Sequence, residues 1–249
     1  MLDYIRIACA VPAVKVGDVK KNTADICAYL EKADAENADI VLFPELAMTG
    51  YTCGDLFYQE TLHRAVEAGL MQILECSRSY PALTAVVGLP VRMGMQLANC
   101  AAVVSDGCLR GLVSKTFLPD YGGFNESRWF SAVEEGTYVT LAGQEVSLGT
   151  DLLYRVGETT VGIEICEDLW APITLFFPCP QRCGGDPESG CFSGTGWRKA
   201  LPGRAGEGTV CSRQVRLRFR FRRLYRIYLG SGILRSQCHC RKRHHSGRK

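Results

Sequence analysis

The sequence predicts an α/β fold, in which a mixed sheet is flanked by helices, over residues 1–172 of the 249-residue chain. Two observations lead to this prediction. Two stretches carry apolar residues at helical spacing, and they alternate with short apolar runs that are typical of buried strands. The predicted order of elements is therefore β-α-β-α-β-β-β, followed by a loop and further short strands.

The first half of this pattern rests on four segments. The run "IRIACAV" predicts the first strand, and "DIVLFPEL" predicts a second, buried strand. Between them, a helix is predicted from Asp18 to Ala38, with apolar residues on one face at Val19, Ile26, Cys27 and Leu30. The segment "DLFYQETLHRAVEAGLMQILECSRSY", residues 55–80, predicts a second amphipathic helix.

The second half consists mainly of strands. The segments "LTAVVGLPV", "LANCAAVVSDG" and "CLRGLVSKT" each predict a strand, and Asp106-Gly107 predicts a tight hairpin turn between the last two. A loop rich in glycine and aromatic residues is expected from Phe117 to Tyr138. Short strands follow and end in "LLYRVGETTVGIEIC", with Gly157-Glu158 as the expected turn.

The charge of the chain divides it into two parts. Residues 1–172 hold 12 Lys and Arg against 23 Asp and Glu, a net charge of −11, whereas residues 173–249 hold 17 against 3, a net charge of +14. In the second part, glycine and proline interrupt every short apolar run. Such a segment cannot bury enough apolar surface to offset the entropy of ordering it. We therefore expect a domain over residues 1–172 and a disordered, Arg-rich tail over residues 173–249.

Cysteine content and the beginning of the chain suggest a location. The 13 cysteines are an odd number, and "MLDYIRIACAVPAV" does not read as a secretory signal, so we expect reduced thiols. No apolar run approaches the ~18 residues that a membrane helix needs. The sequence thus predicts a soluble, cytoplasmic protein with no membrane partner.

Three chemically capable residues follow predicted strands directly. Glu45 comes after "DIVLFP", Lys115 after "CLRGLVS" and Cys166 after "VGIEI". Open α/β sheets place their sites at the carboxyl ends of strands. A cysteine nucleophile needs a base, because an unperturbed thiol is mostly protonated near neutrality. His63, the only histidine of the acidic part, is expected on an exposed helix face, so the base is expected to be a carboxylate.

The residues around these three positions resemble a known family. The segments "FPELAMTGYTCGDLF", "KTFLPDYGGFNESRWF" and "VGIEICEDLWAP" are similar to the Glu, Lys and Cys blocks of the nitrilase superfamily of carbon–nitrogen hydrolases. More narrowly, they resemble the N-terminal glutaminase domain of the glutamine-dependent NAD synthetase family. The resemblance extends from Tyr4 to about Pro172. The segment "GGFNESRWF" varies the usual pattern of that family but keeps Phe124, Glu126, Arg128 and Phe130.

The resemblance implies a nitrilase-like α-β-β-α sandwich and a glutamine amidohydrolase activity. In this reading Cys166 attacks the side-chain carboxamide of glutamine, and Glu45 takes the thiol proton. Lys115, together with a backbone N–H, stabilises the oxyanion. The same motif match assigns contacts with glutamine to three further residues: Tyr121, Phe124 and Glu167.

The resemblance also implies how the product is used. Ammonia would serve the synthesis of NAD from nicotinate adenine dinucleotide in a synthetase domain that requires ATP and Mg²⁺. The 249 residues show no glycine-rich phosphate-binding loop, so we expect that domain to be absent from this chain. The glutaminase domain itself is expected to use no cofactor and no metal, and the intact family protein is expected to be a homo-oligomer.

The tail does not continue the resemblance in the frame in which it is written. When each codon is read from its second base, the triplets from Glu188 to Ser212 are compatible with the serine- and arginine-containing segments that follow the cysteine block in that family. We therefore interpret the tail as the product of a shifted reading frame. On this hypothesis the sandwich is incomplete after about residue 172 and the chain is inactive.

Two alternative functions remain open from the sequence. The first is a free-standing nitrilase-type amidase or carbamoylase, which would use the same three residues. The second is a non-enzymatic nucleic-acid binder, because "RQVRLRFRFRRLYRIYL" alternates arginine with apolar and aromatic residues. The interpretation of this segment as the product of a shifted reading frame is favoured over nucleic-acid binding. A zinc site in the tail is not supported, because no pair of CxxC motifs has finger spacing.

Overall fold

The computed structural model describes residues 5–157, 159–169, 171, 207–212, 215–220 and 227–228. Its two α-helices are α1, Val19–Ala35, and α2, Glu60–Ser77. Short 3₁₀ turns lie at Gly54–Tyr58, Glu126–Arg128 and Cys166–Leu169. The strands are β1 Ile5–Cys9, β2 Ile40–Leu42, β3 Thr84–Met93, β4 Gln96–Ser105, β5 Cys108–Ser114, β6 Thr137–Leu141, β7 Gln144–Gly149, β8 Leu153–Val156, β9 Thr159–Ile165, β10 Glu207–Ser212, β11 Val215–Arg220 and β12 Ile227–Tyr228.

These strands form two sheets. The larger has the order β12-β1-β2-β3-β4-β5-β7-β6, and the smaller has the order β10-β11-β9-β8. In the larger sheet β1, β2 and β3 are parallel, whereas β3, β4 and β5 form an antiparallel meander. The first seven elements therefore follow the predicted order, and the α/β class is confirmed.

The two helices form one layer that covers the larger sheet. Asp18 caps α1 by accepting a hydrogen bond from the backbone N–H of Lys21. Both helices bury one apolar stripe, and they pack against each other, with α2 also contacting β3 and β4. Both α-helices that the structure describes belong to this one layer, so the described residues do not include the second helical layer expected of an α-β-β-α sandwich.

The second helix is shorter than the sequence predicts. Residues 54–58 form a separate 3₁₀ turn, and Gln59 has an extended backbone with ψ of 124°, so the α-helix begins only at Glu60. The helix also ends at Ser77 rather than at Tyr80. This break matters for the site, because the 3₁₀ turn anchors a loop described below.

The predicted tight turns are present. Asp106 and Gly107 both have positive φ, 50° and 70°, and they connect β4 to β5 as a two-residue hairpin loop. β8 and β9 likewise pair as a hairpin, with Gly157 at a φ of 57°. Residues 161–165 of β9 are all buried, and β9 contacts β4 and β5 of the larger sheet.

The structure describes three short strands within the range 173–249. Strand β11 pairs with β9 and with β10, and β12 pairs with β1. The remaining positions of this range lie outside the described residues, and the prediction of a shifted, disordered tail remains a prediction for them. None of the helices that the structure describes is both long and apolar enough to cross a membrane.

Candidate active site

Glu45 is placed by a close crossing of two backbones. After β2 the chain passes over β3, where the Phe43 N–H donates to the Val86 carbonyl at 2.9 Å. At Gly88 an ideal Cβ would lie only 2.4 Å from the Pro44 carbonyl oxygen and 2.9 Å from the Glu45 carbonyl carbon. Only glycine permits this approach without displacement. The side chain of Glu45 is thereby held inside the molecule, with no exposed surface.

Lys115 reaches the same interior position from the end of β5. Its backbone N–H donates to the Asn99 carbonyl at 2.8 Å, which continues the pairing of β4 with β5. Its Nζ lies 2.8 Å from Oε1 of Glu45. The same Nζ lies 2.8 Å from each carboxylate oxygen of Glu126. The structure therefore brings together Glu45 and Lys115, as the sequence predicts, and adds Glu126 to them.

The charges of this cluster influence one another strongly. Burial favours the neutral form of Lys115, but the neighbouring carboxylates Glu45 and Glu126 outweigh this effect and raise the lysine pKa. Burial also raises the pKa of Glu45, against the opposing effect of Lys115. The two carboxylates thus favour the charged ammonium form of Lys115.

Cys166 begins the 3₁₀ turn that follows β9. Its φ is 47°, a left-handed conformation that is uncommon for residues other than glycine, and strain of this kind is concentrated at functional sites. Burial, followed by the charge of Glu45, raises the pKa of the Cys166 thiol to about 12, and Lys115 opposes this effect. The Cys166 thiol is therefore held in its neutral form near neutral pH. The influence of these charges places it beside the cluster.

Asp168 ties the cysteine turn to the lysine strand. Its Oδ1 accepts hydrogen bonds from the backbone N–H groups of Thr116 and Phe117, both at 2.9 Å, and its Oδ2 accepts from Ile165 at 3.3 Å. Burial raises the pKa of Asp168 to about 7, although the three N–H groups oppose this rise. One carboxylate thus fixes the spacing between Lys115 and Cys166.

The three residues assigned to substrate contact lie near one another. The Tyr121 hydroxyl donates to the Glu167 carboxylate, 2.9 Å from Oε2 and 3.0 Å from Oε1. The Phe124 ring packs edge to face against Tyr121, with centroids 6.0 Å apart. Tyr121 is well exposed, and Glu167 follows Cys166 directly. The group therefore forms a partly open surface next to the cysteine turn.

An aromatic residue connects this surface to the buried cluster. Tyr51 packs edge to face against Phe124, and its hydroxyl donates to Oε1 of Glu126 at 2.6 Å. Burial, followed by this hydrogen bond, raises the pKa of Tyr51 far above its usual range. Tyr51 consequently remains a neutral donor that holds Glu126 against Lys115.

The loop that carries these residues is anchored at a second point. Arg128 makes a bidentate ion pair with Asp55, in which Nε lies 3.1 Å from Oδ1 and Nη2 lies 3.0 Å from Oδ2. Trp129 Nε1 donates to Oδ1 of the same carboxylate at 3.0 Å. Behind them, the rings of Phe57 and Phe130 pack with centroids 4.9 Å apart. The 3₁₀ turn at Gly54–Tyr58 thus holds the segment that contributes Glu126.

Sequence reasoning missed several members of the site. Asn99 donates from Nδ2 to Oε1 of Glu45 at 2.6 Å, and its position as a single amide within the apolar run "LANCAAVV" was the available signal. For Asp168, the available signal was weaker: it is an acidic residue two positions after Cys166. Nothing in the sequence distinguishes Tyr51 from a tyrosine without a role in the site. Glu126 was noticed only as part of a motif.

Metal sites and disulfides each require a specific arrangement of side chains. Over the part of the chain that the structure describes, no group of three or more His, Cys, Asp or Glu residues is arranged to hold a metal ion. Free thiols are found at seven described positions: Cys9, Cys27, Cys53, Cys76, Cys100, Cys108 and Cys166.

Comparison with protein families gives one match that covers most of the chain. The model of the family described as carbon-nitrogen hydrolase matches residues 6–177. This range contains Glu45, Lys115, Glu126 and Cys166, which form or border the buried cluster.

Similar proteins and structures agree with that match. The glutamine-dependent NAD(+) synthetase of Mycobacterium tuberculosis is 32% identical over 176 residues, which cover 68% of this chain and 26% of the relative. The protein of the same name from Xylella fastidiosa is 33% identical over 186 residues, covering 74% and 31%. The crystal structure of a glutamine-dependent NAD(+) synthetase from Cytophaga hutchinsonii superposes with a TM-score of 0.59 at 32% identity, covering 66% and 28%. The chain spans about a quarter to a third of the length of these relatives.

Proposed function

The chain belongs to the carbon–nitrogen hydrolase family, and we propose on this basis that its site is that of a glutamine amidohydrolase. The observation that carries the proposal is the buried ion pair of Glu45 and Lys115 beside a neutral Cys166 thiol. A carboxylate base, a fixed cation and a thiol are the three groups needed to cleave a carboxamide through a covalent intermediate.

The first half of the reaction forms a thioester. Glu45 takes the proton from the Cys166 thiol, and the sulfur attacks the carboxamide carbon of glutamine. Negative charge develops on the carbonyl oxygen, where the ammonium of Lys115 stabilises it. The C–N bond then breaks, and Glu45 returns the proton to the leaving nitrogen, so ammonia departs and a glutamyl thioester remains.

The second half regenerates the thiol. Glu45 deprotonates a water molecule, which attacks the thioester carbon and forms a second oxyanion next to Lys115. The C–S bond breaks, the proton passes to the sulfur, and glutamate is released. Side chains and water account for every proton in this scheme, and we accordingly propose that the hydrolytic step uses no cofactor.

Glutamine is supported as the substrate by two observations. The relatives at 32% and 33% identity are named for their dependence on glutamine. In addition, the carboxylate of Glu167, bonded to Tyr121 at the open side of the site, provides a negative group for the α-ammonium of an amino acid. We propose that Tyr121, Phe124 and Glu167 bind glutamine in this way.

The use of the ammonia is proposed from the relatives alone. We propose that the site supplies ammonia for NAD synthesis by an ATP- and Mg²⁺-dependent synthetase unit, such as the longer relatives are named for, and that the intact protein is a homo-oligomer in the cytoplasm. The free-standing amidase or carbamoylase is the competing reading, because it requires the same cysteine, lysine and glutamate.

The test compares the 249-residue chain with a version whose tail is re-encoded one base over. The re-encoded version should form glutamate and ammonia from glutamine and should hydrolyse a simple aliphatic amide far more slowly. In that version Cys166→Ala should abolish turnover and Glu45→Gln should nearly do so, whereas Cys108→Ala serves as a control at another partly buried cysteine. The chain as written should be inactive.

Three results would contradict parts of this proposal. Turnover that persists in Cys166→Ala would exclude that residue as the nucleophile. Preference for an aliphatic amide over glutamine would favour the free-standing amidase. Equal turnover by the chain as written and by the re-encoded version would reject the shifted-frame interpretation of residues 173–249.

A further inference from the structure

The two carboxylate oxygens of Glu45 have different surroundings. Oε1 accepts two hydrogen bonds, from Lys115 Nζ at 2.8 Å and from Asn99 Nδ2 at 2.6 Å. Oε2 is buried and has no hydrogen-bond partner among the described residues. A buried, unpaired carboxylate oxygen is unfavourable, and native structures contain few such groups without a functional reason.

Asn99 is an unusual residue at its position. It lies within β4, opposite Pro90 of β3, between the buried apolar residues Ala98 and Cys100. Its backbone carbonyl accepts the Lys115 N–H, and its side chain is also buried. Within the described part of the chain the amide oxygen Oδ1 has no partner, and the Nδ2 contact with Glu45 is the one hydrogen bond that the Asn99 side chain makes there.

The orientation of the Asn99 amide follows from the charge of Glu45. An ionised carboxylate only accepts hydrogen bonds, so the group that faces Oε1 must be the NH₂ of the amide and not its oxygen. The amide therefore recognises the ionised form of Glu45, and this hydrogen bond lowers the pKa that burial raises.

We propose that Asn99 is a positioning residue. Together with Lys115 it holds Oε1 of Glu45 in two hydrogen bonds, so that Oε2 is the atom that accepts the proton of Cys166. The proton of the thiol moves to Oε2, and the electron pair of the S–H bond remains on sulfur for the attack. This assignment rests on the proposed function, because it specifies which atom of Glu45 acts as the base.

Both donors are needed to fix the orientation of the carboxylate. Lys115 alone does not fix the plane of the carboxylate, because its ammonium is a point charge that also contacts both oxygens of Glu126. Asn99 approaches Oε1 from a different strand, β4, whose backbone is held by hydrogen bonds on both sides. Two donors from separate strands define the plane of the carboxylate, and they thereby define the position of Oε2.

The experiment measures the alkylation of Cys166 by iodoacetamide in the 249-residue chain, with the modified peptide quantified by mass spectrometry across roughly pH 5 to 9. In the unaltered chain the rate should show a lower inflection from Glu45. Asn99→Leu should reduce the rate near neutrality by roughly 10-fold and weaken that inflection. Asn99→Asp, which keeps the side-chain shape, should move the inflection to higher pH, because two adjacent carboxylates share a proton.

Asn22→Leu provides the matched control. Asn22 is an equally buried amide that donates to the backbone carbonyls of Lys15 and Met48 and makes no hydrogen bond with Glu45, Lys115 or Glu126. Its loss should lower thermal stability and leave the pH profile of Cys166 unchanged. Thermal unfolding of every variant identifies the temperature range in which all remain folded.

The outcomes separate this proposal from the proposed function. If both Asn99 variants keep the pH profile of the unaltered chain, as Asn22→Leu is expected to do, the positioning role is wrong. If the Asn99 variants change the profile as expected while the re-encoded chain does not hydrolyse glutamine, the substrate is wrong and the role of Asn99 is supported. The alkylation needs no substrate, so its result does not depend on turnover.

Discussion

The ammonium group of Lys115 lies 2.8 Å from Oε1 of Glu45, and neither side chain is exposed to solvent. Removing two charges from water is costly, and a buried ion pair of this kind rarely adds net stability to a fold. The third member, Glu126, gives the cluster an excess negative charge. The arrangement is therefore better explained by the chemistry it supports than by stability, and it makes each member sensitive to loss of the others.

Replacement of Lys115 tests this dependence. Lys115→Met should lower the free energy of unfolding by about 3–5 kcal/mol, because it leaves two buried carboxylates without a cation. The loss should increase with pH, since Glu45 then lacks the partner that opposes the rise of its pKa and binds a proton more readily in the folded state. Urea unfolding near pH 5 and pH 8 measures the effect. Lys15→Met, which removes an exposed ion pair with Asp18, should have little effect at either pH.

Activity should respond to the same position. In the chain with a re-encoded tail, Lys115→Ala should reduce glutamine turnover by roughly 10²-fold or more, as loss of an oxyanion stabiliser commonly does. Turnover within a few-fold of the unaltered version would show that Lys115 is only a structural partner of Glu45.

Gly88 should tolerate no side chain. Gly88→Ala would place a methyl group 2.4 Å from the Pro44 carbonyl oxygen and the Leu46 nitrogen, so the backbone on both sides of Glu45 must move. We expect a lower melting temperature and slower alkylation of Cys166, because Glu45, the proposed base, is displaced. Gly149→Ala is the control, since the nearest atom there would lie 3.6 Å away. An equal effect of both substitutions on Cys166 would argue against the crossing at Gly88 as the element that positions Glu45.

Asp168 should give the stability a specific pH dependence. Burial raises its pKa in the folded state to about 7 from the ordinary value of 3.8, so the folded protein binds the proton more tightly than the unfolded chain does. The contribution to stability is complete below pH 3.8 and is lost as the pH rises towards 7, with a slope of up to about 1.4 kcal/mol per pH unit.

Asp168→Asn should remove this slope. The asparagine oxygen can still accept from Thr116 and Phe117, but its NH₂ would face the N–H of Ile165. Unfolding free energies of the unaltered protein and of the variant, measured at several pH values between about 4 and 7, give the two slopes to be compared. A slope that is the same in both proteins would show that another group is responsible.

Asp55 should matter for the loop more than for the fold. Its ion pair with Arg128 is exposed, so Asp55→Asn should change the melting temperature little. The substitution should nevertheless accelerate proteolytic cleavage between Phe117 and Tyr138, because the anchor of Arg128 and Trp129 is weakened. Glu75→Gln, which removes another exposed pair with Arg78, should leave cleavage of this loop unchanged. Equal cleavage in both variants would contradict the anchoring role.

Much of the fold could be predicted because its signals are local. Helical spacing identified α1 and α2, and a glycine at a tight turn identified the hairpin at Asp106-Gly107. The start of α2 was misplaced, since the apolar residues Leu56 and Phe57 also fit a helix. Only the extended backbone at Gln59 separates the 3₁₀ turn from the helix.

The sequence by itself determined the family, the order of the elements and the positions of Glu45, Lys115 and Cys166, because each of these depends on a contiguous motif at the end of one strand. The tertiary structure alone decided which of these groups contact one another. Glu45 meets Lys115 and Asn99 across 70 and 54 positions of the chain. Which of its oxygens is held and which is free depends on distances of about 3 Å between separate strands, and only the packed register of those strands sets such distances.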